Sequence, residues 1–360
     1  MQPQEALPLG IAAQVPLAPL TTLGIGGPAR FFARVEREEH IPALMAWAEQ
    51  QAMPVFVLGG GSNLLVADRG YDGLVLAIAL RGIHGEAEAV TAAAGEPWDA
   101  FVERCVARDW AGIECLSGIP GTVGGTPVQN VGAYGQEVAE TIVAVRAWDR
   151  ERREFVELDR TASRFGYRAS LFNRDQPGRF IVTAVRFRLQ PGGAPALRYA
   201  ELQRRFASAA RPSLRGVREA VREIRRGKAM LIEPDQAESH SAGSFFKNPI
   251  VTEAQAEAVA ARAGESPPRF ATPEGVKLPA AWLIERAGFP RGYRPPAPGG
   301  GAGRVGLSSR HALAIVNYGG ASAAEVAALA RRIRDAVAAC FGIPLAPEPV
   351  WLGFDPGEQL

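Results

Sequence analysis

The sequence predicts an α+β protein built from more than one domain. Three observations carry this. The chain has 360 residues, more than one hydrophobic core ordinarily serves. Apolar residues make up 47%, enough for each domain to bury a core of its own. Strand-like and helix-like segments alternate irregularly, with β-rich stretches and long connections, unlike the regular order of a doubly wound sheet.

The elements follow in order. "EEHIPALMAWAEQQAM" sets Ile41, Leu44, Met45 and Ala48 on one helical face. "PVFVLGGGSN" is a short apolar strand running into three glycines, and "DGLVLAI" is a second buried strand. "WDAFVERCVARDW" reads as a helix with Phe101, Val102, Cys105 and Val106 inward. From Thr141 the pattern is β-rich. "TIVAVRAWDRERREFVELD" predicts a hairpin turning within "DRERRE", and "RFIVTAVRFRL" a half-exposed strand. "LRGVREAVREIRRG" is an amphipathic helix through Val217, Val221 and Ile224, whose arginines read as a solvated face. Helices are expected near 254–263 and in "LPAAWLIERAG". "GYRPPAPGGGAGRVG" reads as a loop and "ALAIVN" as a strand. "SAAEVAALARRIRDAVAACFG" is a long helix through Val326, Leu329, Ile333 and Val337, stopping near Gly342.

Composition narrows the class. Forty Lys+Arg against 38 Asp+Glu leave a net charge of +2, which argues against a general nucleic-acid binder. Three cysteines without a CxxC pair fit reduced thiols in a cytosolic protein. The four histidines are scattered, so no metal site is expected. The first residues lack a signal-peptide pattern, and no run reaches the ~20 apolar residues of a membrane helix. The expectation is a soluble cytoplasmic protein.

Two glycine-rich loops carry the first functional signal: "LGGGSNLL" at 58–65 and "LSGIPGTVGGTPVQNVGAYGQE" at 116–137. Amides uncrowded by Cβ atoms can close around phosphate oxygens. Ser62, Asn63 and Thr122 add side-chain donors. Plain turns are the competing reading. Neither loop is GxxxxGK[ST], and "GIGGPA" at 24–29 lacks a preceding apolar strand and contains Pro28, so it is discounted as a dinucleotide fingerprint.

Seven stretches occur in an order that resembles the UDP-N-acetylenolpyruvoylglucosamine reductase family: "TTLGIGGPARFF", "LGGGSNLLVAD", "SGIPGTVGGTPVQNVGAYGQE", "FGYRASLFN", "SAGSFFKNP", "AAWLIERAGF" and "APEP". The likeness runs from about Leu20 to Val350. It implies a fold: an FAD-binding fold of the vanillyl-alcohol-oxidase (PCMH) type in two subdomains, plus a C-terminal α+β substrate-binding domain. The subdomains would be 1–80, with 345–360 returning to it, and 81–212; the substrate domain would be 213–344. It also implies non-covalent FAD, NADPH as co-substrate, and reduction of the enolpyruvyl group of a UDP-sugar in peptidoglycan precursor synthesis. The expected partner is that UDP-sugar, with no nucleic acid or membrane, and the chain is expected to act as a monomer. A sugar or alcohol oxidase on the same fold is the alternative enzyme. A non-catalytic nucleotide-binding protein is the alternative from another class.

The resemblance also assigns residues. Gly59, Gly60, Gly61, Ser62, Asn63 and Leu64 would hold the cofactor, as would Gly118, Ile119, Pro120, Gly121, Thr122, Gly124, Gly125, Asn130, Gly132, Ala133 and Tyr134. Tyr167, Lys228 and Asn248 would bind substrate, and Tyr199 in "RYAEL" would be a lid tyrosine closing over it. Arg168 would face developing negative charge, Glu348 would be a polarising acid, and Ser244 would give a proton to substrate carbon C2. From the residues alone, Ser244 reads equally well as a hydroxyl satisfying a tight turn. The chain departs from the family pattern at Asn173, where lysine is common, and at Val350, where arginine is expected. The 228–241 segment is longer than usual, and the Pro/Gly-rich loop has the look of an insertion.

Overall fold

The computed structural model describes residues 10–208, 211–233, 236–297 and 300–360. Contacts divide the chain into two compact units. The first takes the residues up to Val15, then Ala29–Gly60 and Asp72–Arg226; the second takes Pro16–Pro28, Gly61–Tyr71 and Gly227–Leu360. These cuts differ from the three-part division in two respects. Helix Leu214–Gly227 goes almost wholly with the first unit, and two early segments go with the second.

Seven α-helices lie among the described residues: α1 Ile41–Gln50, α2 Trp98–Ala107, α3 Ala200–Arg205, α4 Leu214–Gly227, α5 Glu253–Ala263, α6 Ala280–Arg286 and α7 Ala323–Phe341. Local chemistry explains their ends. Thr252 and Gln255 form a capping box that starts α5, and Gly264 at φ 71 ends it. Ser322 and Glu325 do the same for α7, which stops at Gly342, φ 72, as its sequence predicts.

The first unit holds two larger sheets and two two-stranded ones, Gly132–Ala133 with Gln136–Glu137 and Trp110–Ala111 with Gln190–Pro191. A four-stranded one runs in the order Ala12–Pro16, Pro28–Val35, Tyr71–Ile78, Val55–Leu58, the last two parallel. A five-stranded antiparallel one runs Glu154–Asp159, Ile142–Asp149, Phe180–Phe187, Val90–Ala93, Ile83–His84. The expected hairpin is its edge, and Asp149 shapes the turn. Its carboxylate accepts the Glu151 and Arg152 amides and pairs with Arg179 at 2.6 Å. Helix α2 turns Phe101, Val102, Cys105 and Val106 inward as expected. Trp98, Phe101 and Phe187 form the fully buried aromatic centre of this core.

The second unit packs α5, α6 and α7 with three small sheets. One joins Ile250–Val251, Gly275–Lys277 and Phe270–Thr272; one is the Val305–Leu307 and Ile315–Asn317 hairpin; one pairs Leu64–Val66 in parallel with Val350–Leu352. Phe245, Phe246, Leu283, Ile284 and Ile333 are all buried in its core. Asp68 accepts the Ala323 and Ala324 amides at 2.7 and 3.0 Å, binding the N-terminus of α7. The Pro/Gly-rich loop carries a bridge between Pro296 and Ala302 and leads into Val305–Leu307; residues 298 and 299 lie outside the described ones.

One expectation is corrected outright. The α4 arginines do not form a uniformly solvated face: Arg218 and Arg225 are only 7% and 6% exposed. The reason is a set of acceptors far away in sequence.

Candidate active site

In the first unit the two glycine loops meet backbone to backbone. A Cβ at Gly60 would overlap Gly121, and one at Gly124 would overlap Ala94. Glycine is required there because nothing larger fits. Gly125, in contrast, has nothing within 4 Å of where its Cβ would be. The loops therefore leave an open face beside backbone amides, a shape suited to phosphate oxygens. Ile119 and Ala133 pack against the first unit's core.

Helices α2 and α4 hold the second loop. The Trp98 indole donates to the Leu116 carbonyl at 3.0 Å, and the Trp98 amide to Gly121 at 3.0 Å. The Gly118 amide donates to Asp99 at 2.6 Å. Arg218 and Arg222 each donate to that carboxylate at 2.5 Å. From the other side, Arg225 Nε donates to the Gly118 carbonyl at 3.0 Å. Gly118 is thus gripped through both its N–H and its C=O. Desolvation alone would raise the Asp99 carboxyl, but hydrogen bonds from Arg218 and Gly118 and the charges of Arg218 and Arg222 hold it below its ordinary range. Motif reading missed Asp99 and Arg225. The one available signal was a run of arginines on the same helix as three buried aliphatics.

Three non-glycine residues here sit in the left-handed region: Asn130 at φ 46, Tyr134 at φ 51 and Arg168 at φ 51. Asn130 is buried and donates to Glu137 and to the Gly166 carbonyl, while accepting from the Ala139 amide. Its side chain braces the site from inside. Tyr134 and Gly135 are the two central residues of the turn joining Gly132–Ala133 to Gln136–Glu137, both at positive φ. Tyr167 and Arg168 form another two-residue turn, closed by the Ala169 amide on the Gly166 carbonyl. Arg168 takes the third turn position, where glycine or asparagine is usual. Strain of this kind clusters at functional sites. Asn173 supports it by donating to the Arg168 carbonyl at 3.2 Å. The Arg168 guanidinium lies over the Tyr167 ring, 5.7 Å from its centroid, and an Nη comes 3.5 Å from the Cβ position of Gly132. The structure therefore brings Arg168 to the second glycine loop. Tyr199 meets the same loop, its ring 5.2 Å from Tyr134, edge to face.

The remaining candidate residues lie in the second unit. Gly61, at φ 61, could carry no Cβ without striking the Leu20 carbonyl. Ser62 is half-buried and Leu64 buried. The Asn63 amide donates to the Glu348 carbonyl at 3.1 Å, so the side chain read as a phosphate donor also ties down the Glu348 segment. Thr22 joins this group, with its hydroxyl on the Ser241 carbonyl at 2.7 Å.

Ser244 is half-buried in an irregular segment, between bends at Gly243 and Phe245, with neighbours on both sides. On one side Ser241 bridges Val316, and the Phe245 amide donates to Leu313. On the other, Glu348 and Lys247 amides donate to the Phe245 and Ala346 carbonyls at 2.9 Å each. Ser244 and Glu348 thus belong to neighbouring segments. Behind the serine, Phe245 and Phe246 are fully buried. Asn248 commits its side-chain oxygen to the Ala280 amide at the start of α6. Lys228 is half-buried and acts on His311, whose imidazole is pushed down to about 4 by burial, then by the Lys228 and Arg291 charges. Val350 is 50% exposed, with no arginine in its place.

Comparison with known proteins decides what this arrangement belongs to. Two family models match: an FAD binding domain over residues 29–158, and the C-terminal domain of UDP-N-acetylenolpyruvoylglucosamine reductase over 235–352. A UDP-N-acetylenolpyruvoylglucosamine reductase from Streptomyces coelicolor is 43% identical over 349 residues, covering 94% of this chain and 89% of that one. This chain belongs to the UDP-N-acetylenolpyruvoylglucosamine reductase family. The reductase from Nocardia farcinica is 46% identical over 348 residues, with 94% and 89% covered. The crystal structure of the reductase from Thermus caldophilus matches with a TM-score of 0.64 at 27% identity, covering 95% of this chain and 98% of that one. The reductase-family chain is α+β with an FAD-binding fold, and it is an FAD-dependent oxidoreductase. The close approach of the two glycine loops at Gly60 and Gly121, with open space beside Gly125, fits such a dinucleotide.

Proposed function

We propose that this chain reduces the enolpyruvyl group of UDP-N-acetylglucosamine enolpyruvate with NADPH, giving UDP-N-acetylmuramate for peptidoglycan precursors. The observation that carries this is the pairing of the Ser244 and Glu348 segments within the region matched to the reductase's C-terminal domain. It sets a hydroxyl and a carboxyl on adjacent segments.

Bound FAD supplies the hydride chemistry between NADPH and the substrate. The protein holds, orients and protonates. Gly59, Gly60 and the Ile119, Gly121 and Thr122 stretch of the second loop offer amides to the cofactor's diphosphate, while the Gly118, Val123, Gly124 and Gly125 amides hold the loop itself. Arg168 stabilises negative charge that spreads from C2 into the substrate carboxylate. Ser244 gives its proton to C2, with Phe245 and Phe246 keeping water from one side. Glu348 assists as a polarising acid. Tyr167 and the amide nitrogen of Asn248 bind the sugar nucleotide, Lys228 faces its phosphates, and Tyr199 closes over it. The two early segments and the C-terminal strand complete an FAD-binding part in two subdomains, with residues 213–344 as the substrate domain. The enzyme works as a monomer in the cytoplasm, where Cys105, Cys115 and Cys340, all unpaired, remain thiols. No helix among the described residues is long and apolar enough to cross a membrane.

The test is optical. The purified protein should be yellow, bleach with NADPH, and regain colour on adding the enolpyruvyl sugar without oxygen. A colourless protein indifferent to FAD overturns the proposal. Oxygen consumption with an alcohol, and none of NADPH with the sugar, would favour an oxidase.

A further inference from the structure

Glu114 stands outside every motif assigned above, yet it is completely buried. Placing a carboxylate where water cannot reach costs several kcal/mol unless donors replace the water. Three do. Oε2 accepts the Gly112 amide at 2.8 Å. Oε1 accepts the Gln136 side-chain amide at 2.8 Å and the Ala196 backbone amide at 2.8 Å. All three partners are neutral N–H groups. They come from three segments: the turn after Trp110–Ala111, the end of the flavin loop, and the stretch leading to Tyr199.

Neighbouring contacts join the same segments. The Cys115 amide donates to Gln136 Oε1 at 2.7 Å, and its thiol donates to the Ala196 carbonyl at 3.1 Å. The Ala196 peptide is therefore held at both its N–H and its C=O. Two residues on, Arg198 pairs with Glu140 at 2.8 Å and donates to the Gly135 carbonyl at 3.3 Å. Tyr199 then rests on Tyr134. A cavity of about 520 Å³ opens beside this segment, lined by Glu114, Gln136, Ala194, Ala196 and Arg198 among others. The other side is apolar: Ala196, Leu197 and Tyr199 pack against the cluster of Cys115, Leu202, Val217 and Val221. Non-directional packing of that kind leaves the exact placement of the segment to these polar contacts.

We propose that Glu114 is a positioning residue that ties the Tyr199 lid to the flavin loop, so that the loop's geometry sets where the lid meets the substrate. This rests on the lid reading of Tyr199 given above. A carboxylate suits the task because it only accepts, and both oxygens can take donors from different segments. Glu114→Gln keeps the size but turns one acceptor into a donor facing N–H groups.

The experiment measures binding by the FAD-loaded full chain, titrating UDP-N-acetylmuramate and reading the flavin absorbance. Tyr199→Phe should weaken binding about tenfold and Glu114→Gln about fivefold, while the double variant should be no weaker than the weaker single one. Hydrogen exchange should quicken in peptides spanning 194–200 of Glu114→Gln and stay unchanged in the Ile142–Asp149 sheet. If Glu114→Gln does not fold, Gln136→Met breaks the same junction and should show the same pattern. Binding within twofold of wild type for the Glu114 variant, with Tyr199→Phe weakened, overturns the tie but leaves the lid. Unchanged binding in Tyr199→Phe overturns the lid reading and the tie with it. Additive losses, or faster exchange throughout the unit, would mean that Glu114 serves stability alone.

Discussion

The candidate residues of the two units are held in different ways. In the first, Asn130, Tyr134 and Arg168 occupy left-handed backbone, and distant side chains hold them or their loop: Asn130 on Gly166, Asn173 on Arg168, Asp99 and Arg225 on Gly118. In the second, Ser244 lies in an irregular segment, after Gly243 at φ 70, whose flanking backbone is bonded on both sides. The contrast teaches where a substitution should act. A side chain on a paired backbone can be removed with little change in placement, so its loss should be purely chemical. A side chain that braces strained backbone carries placement as well, so its loss should reach cofactor affinity and stability.

The largest effect that tests this contrast is expected at Ser244. Ser244→Ala should bind FAD and accept hydride from NADPH at the normal rate, yet reduce the enolpyruvyl sugar about a thousandfold more slowly. Ser244→Cys should keep a trace. Stopped-flow measurement of the two half-reactions decides; slowed flavin reduction in the alanine variant would mean the serine holds the loop. Next come Arg168→Ala and Glu348→Gln, expected to slow substrate reduction by at least about a hundredfold with flavin retained. Arg168→Gly separates charge from strain. It should be as inactive as the alanine variant but more stable by about 1 kcal/mol in denaturant unfolding, because glycine adopts φ 51 without penalty.

A smaller effect is expected at Asp99. Asp99→Asn weakens the grip on Gly118 and should raise the FAD dissociation constant about tenfold, measured by fluorescence of the apoprotein titrated with FAD. Equal affinity would show that Arg225 alone holds the peptide. Since the folded Asp99 pKa is depressed, its stabilisation is present above the ordinary carboxylate value near 3.8 and is lost as pH falls below it. The mildest effect should come from His311. Its folded pKa of about 4 lies below the ordinary 6.5, so the unfolded chain takes up a proton that the folded one refuses. Stability should be full above pH 6.5 and decline toward pH 4, and His311→Gln should flatten that decline in urea titrations. An unchanged slope would mean that the imidazole protonates freely when folded.

Legibility in the sequence followed the same contrast. The hairpin at 142–159, α2, α5 and α7 were readable because periodicity and caps are local. The Ser244 motif was readable because its parts are contiguous. The burial of Arg218 was not, since its acceptor Asp99 lies 119 positions earlier. Nor was Glu114, a lone acid whose donors come from 22 and 82 positions away. Arg168 was singled out by its motif, but its left-handed backbone was not visible, because nothing in "GYRAS" names a turn with arginine in the glycine position. Asn130 was read as a cofactor ligand, but the bonds its side chain makes are internal ones, which only the fold reveals.

The parallel pairing of Leu64–Val66 with Val350–Leu352 has a consequence in time. Its flanking bond joins Asn63 to Glu348, 285 positions apart. A ribosome adding ~5–20 residues per second needs roughly 15 to 60 seconds to cover that distance. Throughout that interval three apolar residues wait with their partner not yet made. The Ile142–Asp149 strand, by contrast, meets Glu154–Asp159 almost as soon as both emerge. The nascent second unit thus stays open to chaperones, and to mispairing, long after the first has begun to close.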